Sequence, residues 1–191
     1  MFITGVSPVT LDDVTSGFNI GTNITTDERF NSMVGFSESE LHEMLSYYQS
    51  EGMLVDSIDD IVRMMKPWYD NYCFAKECIG KTMYNSDMVL YFLNNYLQRK
   101  RPPSEMVDRN IRTDYSKLHH FIRIDRMQEE GCSVITKLID TGEVNGNVIK
   151  DSFPAENLAD PGNFTSLLYY FGLLTYDRME YGETIMKVPN W

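Results

Sequence analysis

The sequence predicts an α+β fold that is mainly helical, with two or three small hairpins. Three observations point to it. Apolar residues recur at helical spacing in several separate segments, most of them opened by a capping residue. Short alternating runs come in pairs with a glycine between them. The hydrophobic content, 42%, is slightly below the usual range, but 13% of the residues are aromatic, so a core can form. At 191 residues the chain supports one domain, or two small ones packed together. No internal repeat, low-complexity stretch or long linker interrupts it.

Phe2-Ile3-Thr4-Gly5-Val6-Ser7-Pro8 reads as the end of a strand breaking into a loop, so the chain is expected to begin inside a structural unit. A short helix around Leu11 to Ser16 and irregular chain to residue 35 follow. Ser37 with Glu40 forms a capping box, and the helix it opens runs to about Ser50. Leu41, Met44, Leu45 and Tyr48 share one face, and Gly52 is the stop. Ser57 caps the next helix, with Ile58, Ile61, Val62 and Met65 as its stripe and Pro67 at its end.

Residues Tyr69 to Phe74 and Lys81 to Tyr84 alternate around Gly80 and read as a small hairpin. Asn85-Ser86-Asp87 opens a helix to about Lys100, with Val89, Leu90, Leu93 and Leu97 inward, closed by Pro102-Pro103. Helices around Tyr115 to Ile124 and Ser133 to Ile139 come next, and Asn145-Gly146 is a two-residue turn signal between Val144 and Val148. Asn163 caps a helix through Leu167, Leu168 and Phe171, which Gly172 ends. Leu173 to Tyr176 and Thr184 to Val188 then pair around Gly182. A helix feeding a two-stranded wing resembles the close of a winged helix.

The formal net charge is -11 and the pI about 4.6, a balance that repels phosphate backbones and anionic lipid over most of the surface. The dense basic cluster Arg99, Lys100, Arg101 ends a helix, where it compensates the dipole. The helix around 163–171 carries no Lys or Arg, which argues against DNA reading. Three cysteines, Cys73, Cys78 and Cys132, are too few and too odd for a disulfide framework and suit a reducing compartment. Cys73 and Cys78 are a poor zinc pair and read as buried thiols. No run of about 18 apolar residues and no secretion signal is visible, so a cytoplasmic location is expected.

Catalytic patterns are sparse. There is no G-x-x-x-x-G-K-[ST] loop to cradle phosphates, and Gly17-Phe18-Asn19-Ile20-Gly21 does not reproduce a dinucleotide loop. No G-x-S-x-G elbow occurs. Cys132 with His119 or His120 has the residue types of a nucleophile pair but no spacing that joins them. Asp12-Asp13, Asp59-Asp60 and Glu129-Glu130 are neighbours that diverge by about 100° on a helix and do not converge on one ion. Asp108-Arg109-Asn110 reads as loop architecture.

An ordered set of landmarks resembles one family. Phe2-Ile3-Thr4-Gly5-Val6-Ser7-Pro8 followed by Asp12-Asp13 and Ser16-Gly17-Phe18-Asn19-Ile20 is similar to a stretch of the bacterial AAA-ATPase-like proteins of the Bacteroidetes type, often followed by a PD-(D/E)XK nuclease-like domain. The similarity continues through Gly35-Phe36 with Glu40, Tyr69-Asp70-x-Tyr72-x-Phe74, Tyr84-Asn85 and Asp108-x-Asn110. It closes on Phe171-Gly172-Leu173-Leu174-Thr175 and Pro189-Asn190. The resemblance implies a P-loop ATPase relative with a helical lid and a winged-helix-like end. Neither its Walker A nor its Walker B segment is in this sequence.

The resemblance divides the chain into a remnant of the ATPase core (1–26), a helical lid-like region (27–110) and a winged-helix-like region (111–191). The implied role is regulatory or coupling and not catalytic alone, with an upstream ATPase core as partner. ATP and Mg belong to the parent family and not to this chain by itself. Thr4 and Ser7 fall where related ATPases place a polar phosphate sensor, and strand-end capping accounts for them equally well. Asp70, Asn85, Asp108 and Asn110 lean towards structural roles. A stand-alone protein-docking module without nucleotide dependence is the alternative.

Overall fold

The structure, a computed structural model, describes residues 9–10, 24–108, 123–125, 133–148 and 153–190. These form an α+β fold that is mainly helical. Among the described residues there are five whole α-helices, part of a sixth at 123–125, and a three-stranded antiparallel sheet.

Helix α1 spans Glu38–Ser50 and begins with the expected box: Glu40 N donates to Ser37 Oγ (3.3 Å) and Ser37 N donates to Glu40 Oε2 (2.8 Å). Helix α2 spans Ile58–Tyr69 and runs through Pro67. Ser57 sits at its N-cap but makes no side-chain capping bond. Helix α3 spans Ser86–Arg99, capped by Asn85, whose side chain accepts from Met88 N (3.1 Å). Its buried arc is Met88, Val89, Phe92, Leu93 and Tyr96. Leu90, expected inward, is 50% exposed, because at about 100° per residue it falls beyond the edge of that arc. These three helices enclose one core, with Leu41, Leu45, Ile61, Met65 and Phe92 fully buried.

The C-terminal half has a core of its own. Helix α4 (Val134–Thr141) leads into strand β2 (Glu143–Asn145), and helix α5 (Pro161–Tyr170) into β4 (Thr175–Glu180) and β5 (Glu183–Lys187). The sheet order is β2-β5-β4. Helix, strand, helix and hairpin follow in that order, with the first strand paired to the last. The wing turns on Tyr181 and Gly182, both left-handed (φ 50° and 86°), the geometry that suits a twisted two-residue hairpin. Phe164, Leu174 and Met186 are buried at the centre of this second core.

Three sequence expectations are corrected. Residues 69–84 are not a hairpin: Tyr69 belongs to α2, residues 76–78 form a 3-10 turn, and Tyr72 and Met83 meet in an isolated bridge. The expected ladder is missing because side chains take the backbone groups of residues 73–75. Asn145-Gly146 makes no local hairpin, since β2 pairs with β5 and Gly146 N donates to Thr184 O (3.0 Å). A side chain at Gly146 would place its Cβ 2.8 Å from Thr165 Cγ2, so close packing is what requires glycine there. Helix α5 is capped by Asp160, not Asn163: Asp160 accepts from Gly162 N (2.9 Å) and Asn163 N (3.2 Å), and Pro161 supplies a preset first position.

The strand expected near Phe2 lies outside the described residues, as do the helix at Leu11 to Ser16 and most of that at Tyr115 to Ile124. A short strand, β1 (Val9–Thr10), pairs in parallel with β3 (Phe153–Pro154).

Candidate functional site

The candidate site is the seam between the two cores, built on the loop that joins α2 to α3. The loop is pinched at its base, where Asn85 N donates to Tyr69 O (2.8 Å). Asp70, 5% exposed, accepts from Asn71 N (2.6 Å), and Asn71 turns the chain off the helix with φ 80°. Phe36 and Tyr84 then form a bridge of two bonds (Phe36 N to Tyr84 O, 3.0 Å; Tyr84 N to Phe36 O, 2.7 Å), so α1 and α3 start side by side. Gly35 is required beside that bridge: its φ is 108° and a Cβ would lie 2.8 Å from Tyr84 O.

Between these anchors the loop leaves the helical core and enters the other one. Cys73, Ala75 and Cys78 are buried among the residues of the second, C-terminal core. The backbone of residues 73–75 is satisfied by side chains from three distant segments. Cys73 N donates to Thr175 Oγ1 (2.6 Å), and the same hydroxyl donates to Cys73 O (3.1 Å). Tyr169 OH donates to Phe74 O (2.7 Å). Asn31 Oδ1 accepts from Phe74 N (2.8 Å) and Ala75 N (3.0 Å), while its amide donates to Lys81 O (3.3 Å). Thr175 is 1% exposed and Asn31 3%. Buried backbone groups must be paired, and here side chains replace a strand partner. Beside them, Asn190 Nδ2 donates to Tyr72 OH (3.2 Å), and the Asn85 side chain meets the same hydroxyl.

The electrostatics of the seam are those of a packed junction. Burial pushes the Tyr72 phenol up, against the pull of Asn85 and Asn190. Burial also pushes the Cys73 thiol up, which keeps it protonated and weakly nucleophilic at neutral pH. Cys73 and Cys78 are both free and buried; Cys132 lies outside the described residues. Among the described residues no three His, Cys, Asp or Glu side chains gather in a way that could hold a metal ion.

The sequence-derived candidates separate cleanly. Thr4, Ser7 and Asn110 lie outside the described residues. Asp70 ends α2 and Asn85 caps α3. Asp108 is half-buried at the end of the helical region, where Tyr69 OH donates to Met106 O (2.6 Å). Asn31 was invisible to sequence reasoning: it lies in a polar stretch of irregular chain, and no spacing relates it to residues 74, 75 and 81. Of the basic cluster, Lys100 adopts the left-handed C-cap conformation and its ammonium donates to Met53 O.

No protein-family model, curated protein or solved structure matches this chain.

The C-terminal face differs from a groove-reading surface in two ways. Helix α5 buries Phe164, Thr165, Ser166, Leu167, Leu168 and Tyr169. The wing's cations are engaged: Arg178 pairs with Glu143 (2.7 Å), Asp177 (2.9 Å) and Glu180 (3.0 Å), and Lys187 with Asp177 (2.6 Å). Burial would raise the Asp177 carboxyl, but hydrogen bonds from Lys187 and Arg178 outweigh it and hold it below the usual range. The Arg178 hydrogen bond likewise lowers Glu143. A depressed folded-state value means that this stability is present above about pH 4 and lost as pH falls through the folded-state values. Thermal melts from pH 7 to pH 3 should therefore show a loss below about pH 4, and Asp177→Asn should flatten that part of the profile. The change at pH 7 should stay within about 1 kcal/mol, because these pairs are partly exposed.

Proposed function

We propose that this chain is the lid and winged-helix portion of an AAA-ATPase-like protein and that it couples the state of a nucleotide, held by an upstream P-loop core, to a partner domain. One observation supports this reading above others. The landmarks of the family resemblance are scattered along the sequence, yet Tyr72, Asn85, Thr175 and Asn190 converge on one seam between two cores. A contact that ties one core to the other can pass a change between them.

Among the described residues no three His, Cys, Asp or Glu side chains gather to hold a metal ion, and the sequence has no phosphate-cradling loop. On this reading the chain is not catalytic alone, and ATP and Mg are bound by the partner core. Thr4 and Ser7 are the candidate phosphate-sensing positions. A cytoplasmic location accords with the free cysteines, and among the described residues no helix is long and apolar enough to cross a membrane. Nucleic acid is an unsuitable partner. Residues 133–190 carry four Lys or Arg against eight Asp or Glu, and the helix that would read a groove is buried.

A second reading, a docking module without nucleotide dependence, is favoured by the wing tip, where Tyr181 is 99% exposed and Met179 46%. Calorimetric titration with Mg-ATP tests the first claim. No saturable binding up to millimolar nucleotide is expected, and micromolar binding would overturn the proposal and make Thr4 and Ser7 the first positions to mutate. Joined behind a P-loop core of that family, the seam amides should exchange at rates that depend on nucleotide. Rates indifferent to nucleotide would favour the docking module.

A further inference from the structure

We propose that residues 71–83 are a strap that makes the two cores one cooperative unit, with the Thr175 hydroxyl as its latch. Among the described residues the cores share no apolar cluster: one is closed by α1, α2 and α3, the other by α4, α5 and the sheet. The strap is rooted in the first core, since Tyr69 and Tyr84, on either side of it, are 0% and 1% exposed there. Its middle is planted in the second, since Cys73, Ala75 and Cys78 pack among its residues. The bridge from Tyr72 N to Met83 O (3.2 Å) and from Met83 N to Tyr72 O (2.8 Å) ties its two limbs together. The second core therefore cannot move away from the helical core without pulling residues 73–75 from their partners.

Thr175 is the part of this device that can be removed with least change of shape. Its hydroxyl makes both bonds to the Cys73 backbone at the first residue of β4, and Tyr176 N reaches Cys73 O beside it (3.4 Å). Valine keeps the volume and branching and removes both bonds. The strap needs no nucleotide and no partner to operate, so its test is separate from that of the function proposed above.

The experiment is native-state hydrogen exchange on the full chain, comparing the slowest amides of α1 and α3 with those of β4 and β5. In the unsubstituted protein these sets should show matching protection. In Thr175→Val the C-terminal set should lose protection, by roughly 5- to 150-fold from the usual cost of unpaired buried groups, and part from the helical set. Thr165→Val is the control: it removes a buried hydroxyl of the second core, bonded to Pro161 O (2.7 Å), without touching the strap, and should lower both sets by the same factor. Should Thr175→Val not fold, Tyr169→Phe, which removes only the bond to Phe74 O, is read by the same criterion. Unequal protection in the unsubstituted protein, or an equal loss in both sets on breaking the latch, would overturn the proposal.

Discussion

Replacing Asn31 with alanine is expected to lower the unfolding free energy by about 3 kcal/mol or more, measured by urea denaturation followed by circular dichroism. The substitution removes one small side chain from a surface-derived loop, so its contact area is modest. The large effect comes from what it leaves behind. Phe74 N and Ala75 N lose their partner at a residue that is 3% exposed, and the carbonyl of the exposed Lys81 loses a longer bond. Each unsatisfied buried group costs about 1–3 kcal/mol. For a chain of this size such a loss corresponds to a fall in Tm of roughly 6 °C or more. A change below about 1 kcal/mol would mean that water replaces the amide, and that the loop is less tightly held than these bonds require.

Phe92→Ala should be at least as damaging, by a different mechanism. The ring is fully buried, stacks on Tyr96 (centroids 5.5 Å apart) and meets Tyr69 edge-on (6.2 Å). Truncation loses the transfer free energy of the ring and leaves a cavity between α2 and α3, together costing about 3–5 kcal/mol. It also frees Tyr69, whose hydroxyl holds the Met106 carbonyl. Thermal unfolding should show Tm lower by roughly 6–20 °C. A loss under about 1 kcal/mol would mean that the three helices collapse onto the gap and that their packing is not specific.

Both positions show how differently the two kinds of stabilisation are written. Phe92 belongs to a periodic pattern, and the helix that carries it was legible from its cap and its spacing. The face was read one position out, because Leu90 and Phe92 are equally apolar and only the neighbouring helices decide which of them is covered. Ser37 and Glu40 are close in sequence and were read correctly as a pair. Asn31 is a lone polar residue whose three backbone partners lie 43 to 50 residues away. Nothing local distinguishes it from the other asparagines of the loop.

Asp160 and Asn145-Gly146 illustrate the same division. Asp-Pro was a stronger helix start than Asn163, a local competition that the sequence contained and that propensity settles. Asn145-Gly146 carried the right signal for a tight turn but was overruled by β5, which offered β2 a longer antiparallel partner.

By itself, then, the sequence determined the helices, the caps of α1 and α3 and the closing hairpin, since hydrophobic period, capping side chains and turn residues act within a few positions of one another. Only the tertiary structure decided that the α2–α3 loop leaves its own core for the next, and that Thr175, Tyr169, Asn31 and Asn190 hold it there. Those of Thr175, Tyr169 and Asn31 satisfy backbone groups across distances in sequence of up to 102 residues, where no spacing rule applies and only closure of both cores brings the partners together.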